Sequence, residues 1–480
     1  MRNGVMLQAF EWNVPNEGNH YDFLREQIPE LAEAGITALW LPPVTKATSI
    51  WDTGYGAYDL YDLGEFDQKG DIRTKYGTKE QLHQLINAAH EAGLQVYADV
   101  VLNHKAQADE EETFLAVSVD QNDRSRELDE PHDITAWTRF TFPGRGETYS
   151  DFKWNFNHFT GVDYDSRSGN TGIYKILGEN KDWSDNVSGE KGNFDYLMFA
   201  DINLAHPEVR ADLFHWAKWF IEETGVDGFR FDALKHMDHD FVRDLVHHIR
   251  SFAPDFYFVG EFWQPGLGEK ESYLAATEYQ LDLFDVALHF NLFGAAKGPF
   301  DLRNILAGSL VKHHPDLAVT FVDNHDTQPG QSLNSFVEPW FKKIAYSLIL
   351  LRQDGYPCVF FGDYYGLGEP EPMAGLRSVI TNLLYIRKNY AFGEQQDYFE
   401  SESLIGWTRL GSDDHPGSLA VLISTGDMAT LRMFVGEDQA GRIYHDLTGA
   451  SPAEITIDQD GWADFEVGPG DVSCWAEKDD

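Results

Sequence analysis

Short apolar runs alternate with amphipathic helical segments along most of this chain, and that alternation limits the folds open to it. The runs TALWLPP (37–43) and VYADVV (96–101) predict short buried strands. Between them, a helix is predicted because Thr78 and Gln81 form a capping box and Gly93 follows the last apolar position. Repeated strand–helix units predict a parallel sheet whose faces are covered by helices.

The same alternation returns after a long interruption. Further strands are predicted at GFRFD (228–232), FYFVGEF (256–262), VTFVDNHD (319–326) and CVFFGD (358–363). So many units favour a closed (β/α)8 TIM barrel over an open sheet. In such barrels the active site forms at the carboxyl ends of the strands.

The chain has 480 residues, too many for one ordinary core. Residues 103–205 are rich in Asp, Asn, Gly and aromatic side chains and show no clear helical period, which predicts an irregular β-rich domain inserted after strand 3. From about residue 393, short strand-like runs with glycine turns predict a C-terminal antiparallel β-sandwich domain. We therefore expect three parts: a barrel from 1–102 and 206–392, an inserted domain at 103–205, and a C-terminal β domain at 393–480.

Charge and apolar patterning exclude several classes of partner. A formal net charge of −42 disfavours nucleic acid and anionic membrane surfaces. No apolar run approaches the ~20 residues of a membrane span. The start MRNGVMLQAFEW lacks the pattern of an export signal, and the two cysteines, Cys358 and Cys474, are too few for a disulfide framework. We expect a cytoplasmic protein, with a secreted mature form as the alternative.

Carboxylic acids follow the predicted strands closely, and we expect them to face one rim of the barrel: Asp99, Asp232, Glu261, Asp326 and Asp363. Two carboxylates across a glycosidic bond suffice for its hydrolysis, one as nucleophile and the other as acid and then base. Arg230 lies two residues before Asp232 and so on the same side of the strand, where its charge would keep Asp232 ionised. A structural ion pair is the alternative interpretation of this Arg-x-Asp pattern.

Four ordered motifs carry a resemblance that covers nearly the whole chain: DVVLNH (99–104), GFRFDALKH (228–236), VGEFW (259–263) and FVDNHD (321–326). The chain resembles the α-amylases of the large α-glucan-acting glycoside hydrolase family, family 13. The segment GYGAYDLYDLGEF (54–66) is similar to the liquefying bacterial type, and the chain start is similar to the signal-less intracellular branch of that type.

The resemblance implies a role for each matching residue. Asp232 would be the nucleophile, Glu261 the general acid/base, and Asp326 the group that stabilises the oxocarbenium-like transition state. The other substrate-binding residues are then His104 and His325 on hydroxyls of the reacting glucose, Tyr55 beneath that ring, Arg230 beside the nucleophile, and Lys235, His236 and Trp263 on the leaving-group side. The expected separation of the Asp232 and Glu261 carboxyls is ~5–5.5 Å, the value for retention of configuration.

A calcium ion is also implied by the resemblance. The family holds it with residues that match Asn103, Asp195, Asp201 and the backbone carbonyl of His236, and oxygen donors are what calcium prefers. Secreted relatives carry further cation sites, but here the matching positions depart from that pattern: Thr160, Asn203, Ala205 and the segment FESES (399–403). We therefore expect one structural Ca²⁺ between the barrel and the inserted domain.

These observations together predict an endo-acting hydrolase of α-1,4-glucosidic bonds in starch, glycogen or maltodextrins, working as a monomer. A maltooligosaccharide-forming or transglycosylating enzyme on the same scaffold stays open as an alternative. A non-catalytic glucan-binding protein is the remote alternative, because degenerate relatives usually lose a catalytic carboxylate and all three are present here.

Overall fold

A computed structural model describes residues 3–477, and its centre is a closed barrel of eight parallel strands. Each strand pairs with the next one along the chain, and the first pairs with the last, where Met6 lies opposite Cys358. The barrel prediction is confirmed. The barrel strands are Met6–Gln8, Ala38–Leu41, Gln95–Val100, Gly228–Phe231, Tyr257–Gly260, Asp282–Phe284, Ala318–Phe321 and Tyr356–Phe360.

Helices follow the strands and cover the barrel. The predicted capping box is present, since the Thr78 side chain accepts a hydrogen bond from the Gln81 amide and the Gln81 side chain bonds back to the Thr78 amide. Within residues 3–477, no helix has both the length and the apolar character that crossing a bilayer requires. The helices are His20–Ala34, Lys79–Glu91, Pro207–Thr224, His239–Arg250, Leu267–Ala276, Val286–Lys297, Leu310–His313, Pro339–Leu351, Phe361–Tyr365 and Arg377–Tyr390.

The segment after the third barrel strand is more regular than its sequence indicates, because it forms a six-stranded antiparallel sheet. Three register shifts interrupt the period-2 alternation that would reveal such strands: one between Ala200–Ile202 and Phe159–Asp165, one between Phe159–Asp165 and Asn170–Ile176, and one between Glu110–Val119 and His132–Arg139. In spatial order the strands are His104–Lys105, Ala200–Ile202, Phe159–Asp165, Asn170–Ile176, Glu110–Val119 and His132–Arg139.

The C-terminal part is antiparallel β structure, as predicted. Six strands form one sheet in the order Gln395–Tyr398, Leu404–Arg409, Leu419–Ser424, Asp471–Glu477, Ile443–Asp446 and Glu454–Thr456. A two-stranded ribbon, Ala429–Phe434 with Trp462–Val467, packs against it through an apolar cluster that includes Phe465 and Trp475. Two short pairs complete the sheet structure: Lys46–Ala47 with Ala57–Asp59, and Gly366–Leu367 with Met373–Ala374.

The register of the barrel strands brings their polar ends together. Arg230 lies directly opposite Asp99 on one side and Val259 on the other. Asp232 follows the last residue of its strand, and Glu261 follows the last residue of the next one. Three neighbouring strands therefore deliver one guanidinium and three carboxylates to the carboxyl end of the barrel.

Candidate active site

Arg230 is at the centre of the candidate site and is 1% exposed. Its Nη1 donates to Asp99 Oδ1 at 2.9 Å and to Asp232 Oδ1 at 2.7 Å, and its Nη2 donates to Glu261 Oε2 at 2.9 Å. The ion pair between Arg230 and Asp232 thus exists, but it is part of a larger network. A buried cation that binds three carboxylates holds them in a fixed geometry.

Among the described residues, Glu261 accepts hydrogen bonds to its side chain through Oε2 alone. The residue after Asp232, Ala233, has a left-handed backbone conformation with φ of 55°, and its N–H donates to Glu261 Oε2 at 3.1 Å. Because Oε2 already accepts from Arg230 and Ala233, an acid proton would reside on Oε1. Burial, and then the charges of Asp232 and Asp326 against the opposing effect of Arg230, raises the pKa of Glu261 to about 8. Such a carboxyl is protonated at neutral pH and can act as an acid.

Asp326 and Asp99 are two further buried carboxyls near Arg230. Burial raises the pKa of Asp326 to about 7, opposed by the charge of Arg230. Burial also raises the pKa of Asp99 to about 6 despite two hydrogen bonds from Arg230. Asp326 Oδ2 lies 3.2 Å from His325 Nε2.

Three rings stack in parallel along one wall. The Tyr55 ring lies 5.1 Å from the His325 ring and 6.0 Å from the Trp12 ring, at interplanar angles of 1° and 6°. The Tyr55 hydroxyl donates to Asp99 Oδ2 at 2.9 Å. Trp12 was not predicted as a site residue, although its position just after the first barrel strand could have indicated it. A flat aromatic wall beside carboxylates is suited to contact the apolar face of a sugar ring.

Four further predicted substrate-binding residues line the cleft, which encloses about 290 Å³: His104, Lys235, His236 and Trp263. His104 is held by a 2.9 Å bond to the Tyr55 carbonyl, and His236 by a 2.7 Å bond to the Phe194 carbonyl. Lys235 contacts Glu190 at 3.3 Å and the Trp263 carbonyl at 3.1 Å. Besides Trp12, sequence reasoning missed five lining residues that come from loops and have no motif: Phe194, Leu197, Met198, Ser332 and Leu333.

Asp363 does not reach this cleft, so its placement with the other acids was wrong. It lies in the short helix Phe361–Tyr365, where it is buried, is ion-paired with Lys342 and accepts a bond from Tyr346 at 2.7 Å. The eighth barrel strand ends at Phe360, so the acid is three residues beyond the rim and turns toward the helix Pro339–Leu351.

The predicted calcium ligands include two buried carboxylates. Burial raises the pKa of Asp195 to about 8. Burial, and then the nearby charge of Asp195, raises the pKa of Asp201 well above its usual value. Asn103 lies against Asp201, with 3.4 Å between its amide nitrogen and Oδ1, and Thr160 donates to the other oxygen. Two mutually repelling buried carboxylates beside an amide form a donor set that fits a divalent cation.

A second cluster of possible ligands, His158, His206 and Glu208, has ligand atoms within 4.8 Å of one another. Its chemistry does not suit a cation. The Nδ1 atom of each histidine accepts a backbone N–H, from Asn155 at 3.1 Å and from Glu208 at 3.3 Å, so the proton of each neutral ring is on Nε2. A protonated nitrogen offers no lone pair to a metal ion.

Comparison with known proteins identifies the family. A family model described as the alpha-amylase catalytic domain matches residues 21–403, and one described as the alpha-amylase C-terminal domain matches residues 422–476. This chain belongs to the alpha-amylase family. It is a glycoside hydrolase with an alpha-amylase catalytic barrel.

Alpha-amylases and a related enzyme match over nearly the whole chain. A glucan 1,4-alpha-maltohexaosidase of Bacillus sp. (strain 707) is 50% identical, with 99% of this chain and 93% of that protein covered. A cytoplasmic alpha-amylase of Escherichia coli (strain K12) is 38% identical, with 99% of both chains covered. The solved alpha-amylase from Geobacillus thermoleovorans, complexed with acarbose, has a TM-score of 0.66 at 17% identity, over 99% of this chain and 98% of that one, and supports the fold.

Proposed function

We propose that this alpha-amylase family member cleaves internal α-1,4-glucosidic bonds in starch, glycogen or maltodextrins with retention of configuration. One observation carries the proposal: Asp232 and Glu261 bind the two terminal nitrogens of a single buried guanidinium, inside a cleft that also holds Asp326. Two carboxyls bridged in this way lie close together, which favours the retaining arrangement over the wider inverting one.

The first half of the reaction is then a displacement at the anomeric carbon. Asp232, which accepts a hydrogen bond from Arg230, attacks that carbon and forms a glycosyl ester, while the Glu261 proton moves to the departing sugar oxygen as the glycosidic bond breaks. Asp326 and the hydroxyl-binding histidines His104 and His325 would hold the distorted sugar.

The second half restores the enzyme. Glu261, now ionised, removes a proton from water, and the resulting hydroxide equivalent attacks the anomeric carbon. The ester bond to Asp232 breaks and Glu261 is protonated again. Two inversions at one carbon leave the α configuration unchanged.

We also propose one Ca²⁺ held by Asn103, Asp195, Asp201 and the carbonyl of His236. When bound, the ion would supply the positive charge that the two buried carboxylates lack. We further infer the domain division 1–102 with 206–392, 103–205 and 393–480, a monomer, and a cytoplasmic location. The location is supported by the name of the Escherichia coli relative and by Cys358 and Cys474, both buried as free thiols.

A product time course on soluble starch tests the proposed reaction, with Asp232→Asn as the matched variant. Rapid loss of iodine staining with slow release of mixed α-maltooligosaccharides supports endo cleavage. Asp232→Asn should keep starch binding and lose activity by more than ~10³-fold, because the nucleophile is gone. Starch cleavage that survives in this variant would contradict the assignment of Asp232.

The 50% identity to a protein named glucan 1,4-alpha-maltohexaosidase makes a maltooligosaccharide-forming activity the second candidate. The same time course separates the two. Early release of a single short product would favour the second candidate, and products longer than a supplied maltooligosaccharide would indicate transglycosylation.

A further inference from the structure

Gln8 is the last residue of the first barrel strand and is fully buried, and it contacts a site residue without lining the cleft. Its side-chain Nε2 lies 2.9 Å from Nδ1 of His325, 317 positions away in the chain. An amide nitrogen can only donate, so Nδ1 of the ring must accept. A neutral imidazole whose Nδ1 accepts has its single proton on Nε2.

The protonated nitrogen of His325 then faces Asp326, a carboxyl of the candidate active site. Nε2 of His325 lies 3.2 Å from Asp326 Oδ2, so an N–H at this position donates to the carboxylate. With the opposite tautomer, a nitrogen lone pair would face the carboxylate oxygen and repel it. Through the His325 ring, the orientation of the Gln8 amide therefore determines whether Asp326 receives a hydrogen bond.

Among the described residues, no other side chain hydrogen-bonds to a ring nitrogen of His325. Phe10, Trp40 and Tyr55 contact it through ring faces and edges, at centroid distances of 5.0, 5.9 and 5.1 Å. The charged groups that act on it are Asp326 and Arg230. Burial and the Arg230 charge lower the pKa of His325 well below its usual value, so the ring is neutral and its tautomer decides what it can donate.

Gln8 makes this contact at a cost. Its Oε1 is buried and has no hydrogen-bond partner within the described part of the chain, and an unsatisfied buried acceptor is unfavourable. An apolar side chain of the same size, such as methionine, would fill the space without that penalty. The amide is thus poorly explained by packing and well explained by the ring that it contacts.

We propose that Gln8 is a positioning residue that fixes His325 in the Nε2–H tautomer, so that this N–H is available to Asp326 and to a sugar hydroxyl in the cleft. The role of the hydroxyl rests on the function proposed above. The tautomer itself does not, because it belongs to the free enzyme and can be measured without substrate.

The test uses ¹⁵N-histidine-labelled enzyme and the variants Gln8→Met and Gln8→Glu. Long-range ¹H–¹⁵N spectra report which ring nitrogen carries the proton, and the spectrum of His325→Gln identifies the His325 signals. Gln439→Met is the matched control, since Gln439 is equally buried but lies in the C-terminal sheet region, where it binds Tyr444. kcat and KM are measured on a chromogenic maltooligosaccharide between pH 5 and 9.

We expect the Nε2–H tautomer in the unmodified enzyme. In Gln8→Glu the new carboxylate accepts from Nδ1, so the ring becomes Nδ1–H or doubly protonated, and in Gln8→Met the single-tautomer signature is lost. Both variants should lower kcat by ~10²-fold, as for the loss of one preorganised donor, with KM changed by less than ~3-fold. Gln439→Met should leave the His325 signals and kcat unchanged.

Two results would overturn the inference. The first is a proton on Nδ1 in the unmodified enzyme, which needs no variant to fold. The second is an unchanged His325 tautomer in folded Gln8→Glu. Failure of the proposed function is a separate outcome, since an enzyme that does not cleave α-1,4 bonds would still show the tautomer.

Discussion

Replacing Arg230 with methionine should move the basic limb of the pH–rate profile to higher pH. Arg230 is the one cation in contact with Asp99, Asp232 and Glu261 among the described residues. A positive charge favours the ionised form of a neighbouring carboxyl, so its removal favours the protonated form. In the proposed reaction Glu261 must be protonated to donate, so the loss of activity as Glu261 ionises should shift in the alkaline direction.

The magnitude follows from the contact distances. A unit charge ~4 Å from a carboxylate contributes ~4 kcal/mol at an effective dielectric constant of ~20, which corresponds to ~3 pKa units. Water entering the vacated space reduces this effect, so we expect the basic limb of the kcat/KM profile to move up by ~2 units, within the range of 1–3 seen for such pairs.

kcat/KM is measured from pH 4 to 10 on a short chromogenic substrate, and folding is checked by circular dichroism. Unfolding free energy should also fall, by ~3–5 kcal/mol, because buried carboxylates lose their partner. Arg352→Met is the control, since Arg352 is also buried and binds Asp397 through two 2.9 Å bonds away from the cleft. A folded Arg230→Met enzyme whose basic limb stays within ~0.3 pH units of the original would refute the reasoning.

Four further outcomes are expected. The basic limb of kcat/KM in the unmodified enzyme should lie near pH 8, the pKa of Glu261, because activity is lost as this acid ionises, and a limb below pH 6 would exclude Glu261 as the proton donor. Chelation should lower the melting temperature, and Asp201→Asn should weaken that effect. In chelated protein the folded-state pKa of Asp195, about 8, exceeds its usual 3.8, so melting temperature should fall as pH rises from about 4 to about 8, and calcium should remove that slope. Lys342→Met should destabilise the fold by ~3–5 kcal/mol while sparing the pH–rate profile, because it leaves two carboxylates unpaired away from the cleft; a loss below ~1 kcal/mol in chemical denaturation would contradict this.

Local patterns in the sequence were enough for most of the barrel. The helix Lys79–Glu91 was predicted because its cap and apolar face are set by residues close in sequence. The strand Asp282–Phe284 was missed because three residues cannot show a period. Its pairing with the neighbours on both sides, through Asp282 and Leu283 on one and Leu283 and Phe284 on the other, defines it instead.

The candidate site likewise contains residues that local sequence identified and residues that depend on distant contacts. Asp232 and Glu261 were identified because each directly follows an apolar strand inside a recognisable motif. Trp12 was not identified because its role depends on a contact with Tyr55, more than forty positions away. Gln8 was not identified because its role depends on a contact with His325, more than three hundred positions away. Asp363 shows the opposite error: it follows a strand closely, but a short helix turns it away from the rim.

The pairing of the first barrel strand with the last has a consequence for the timing of synthesis. Met6–Gln8 leaves the ribosome first, yet one of its two neighbours, Tyr356–Phe360, is made some 350 residues later. At ~5–20 residues per second, the first strand keeps an unpaired edge for roughly 20–70 s. Gln8 can contact His325 only after 317 further residues have been made, so a nascent chain should have no activity until nearly the whole barrel has been translated. Interrupted synthesis would then release inactive fragments with exposed strand edges, which chaperones bind, and not partially active enzymes.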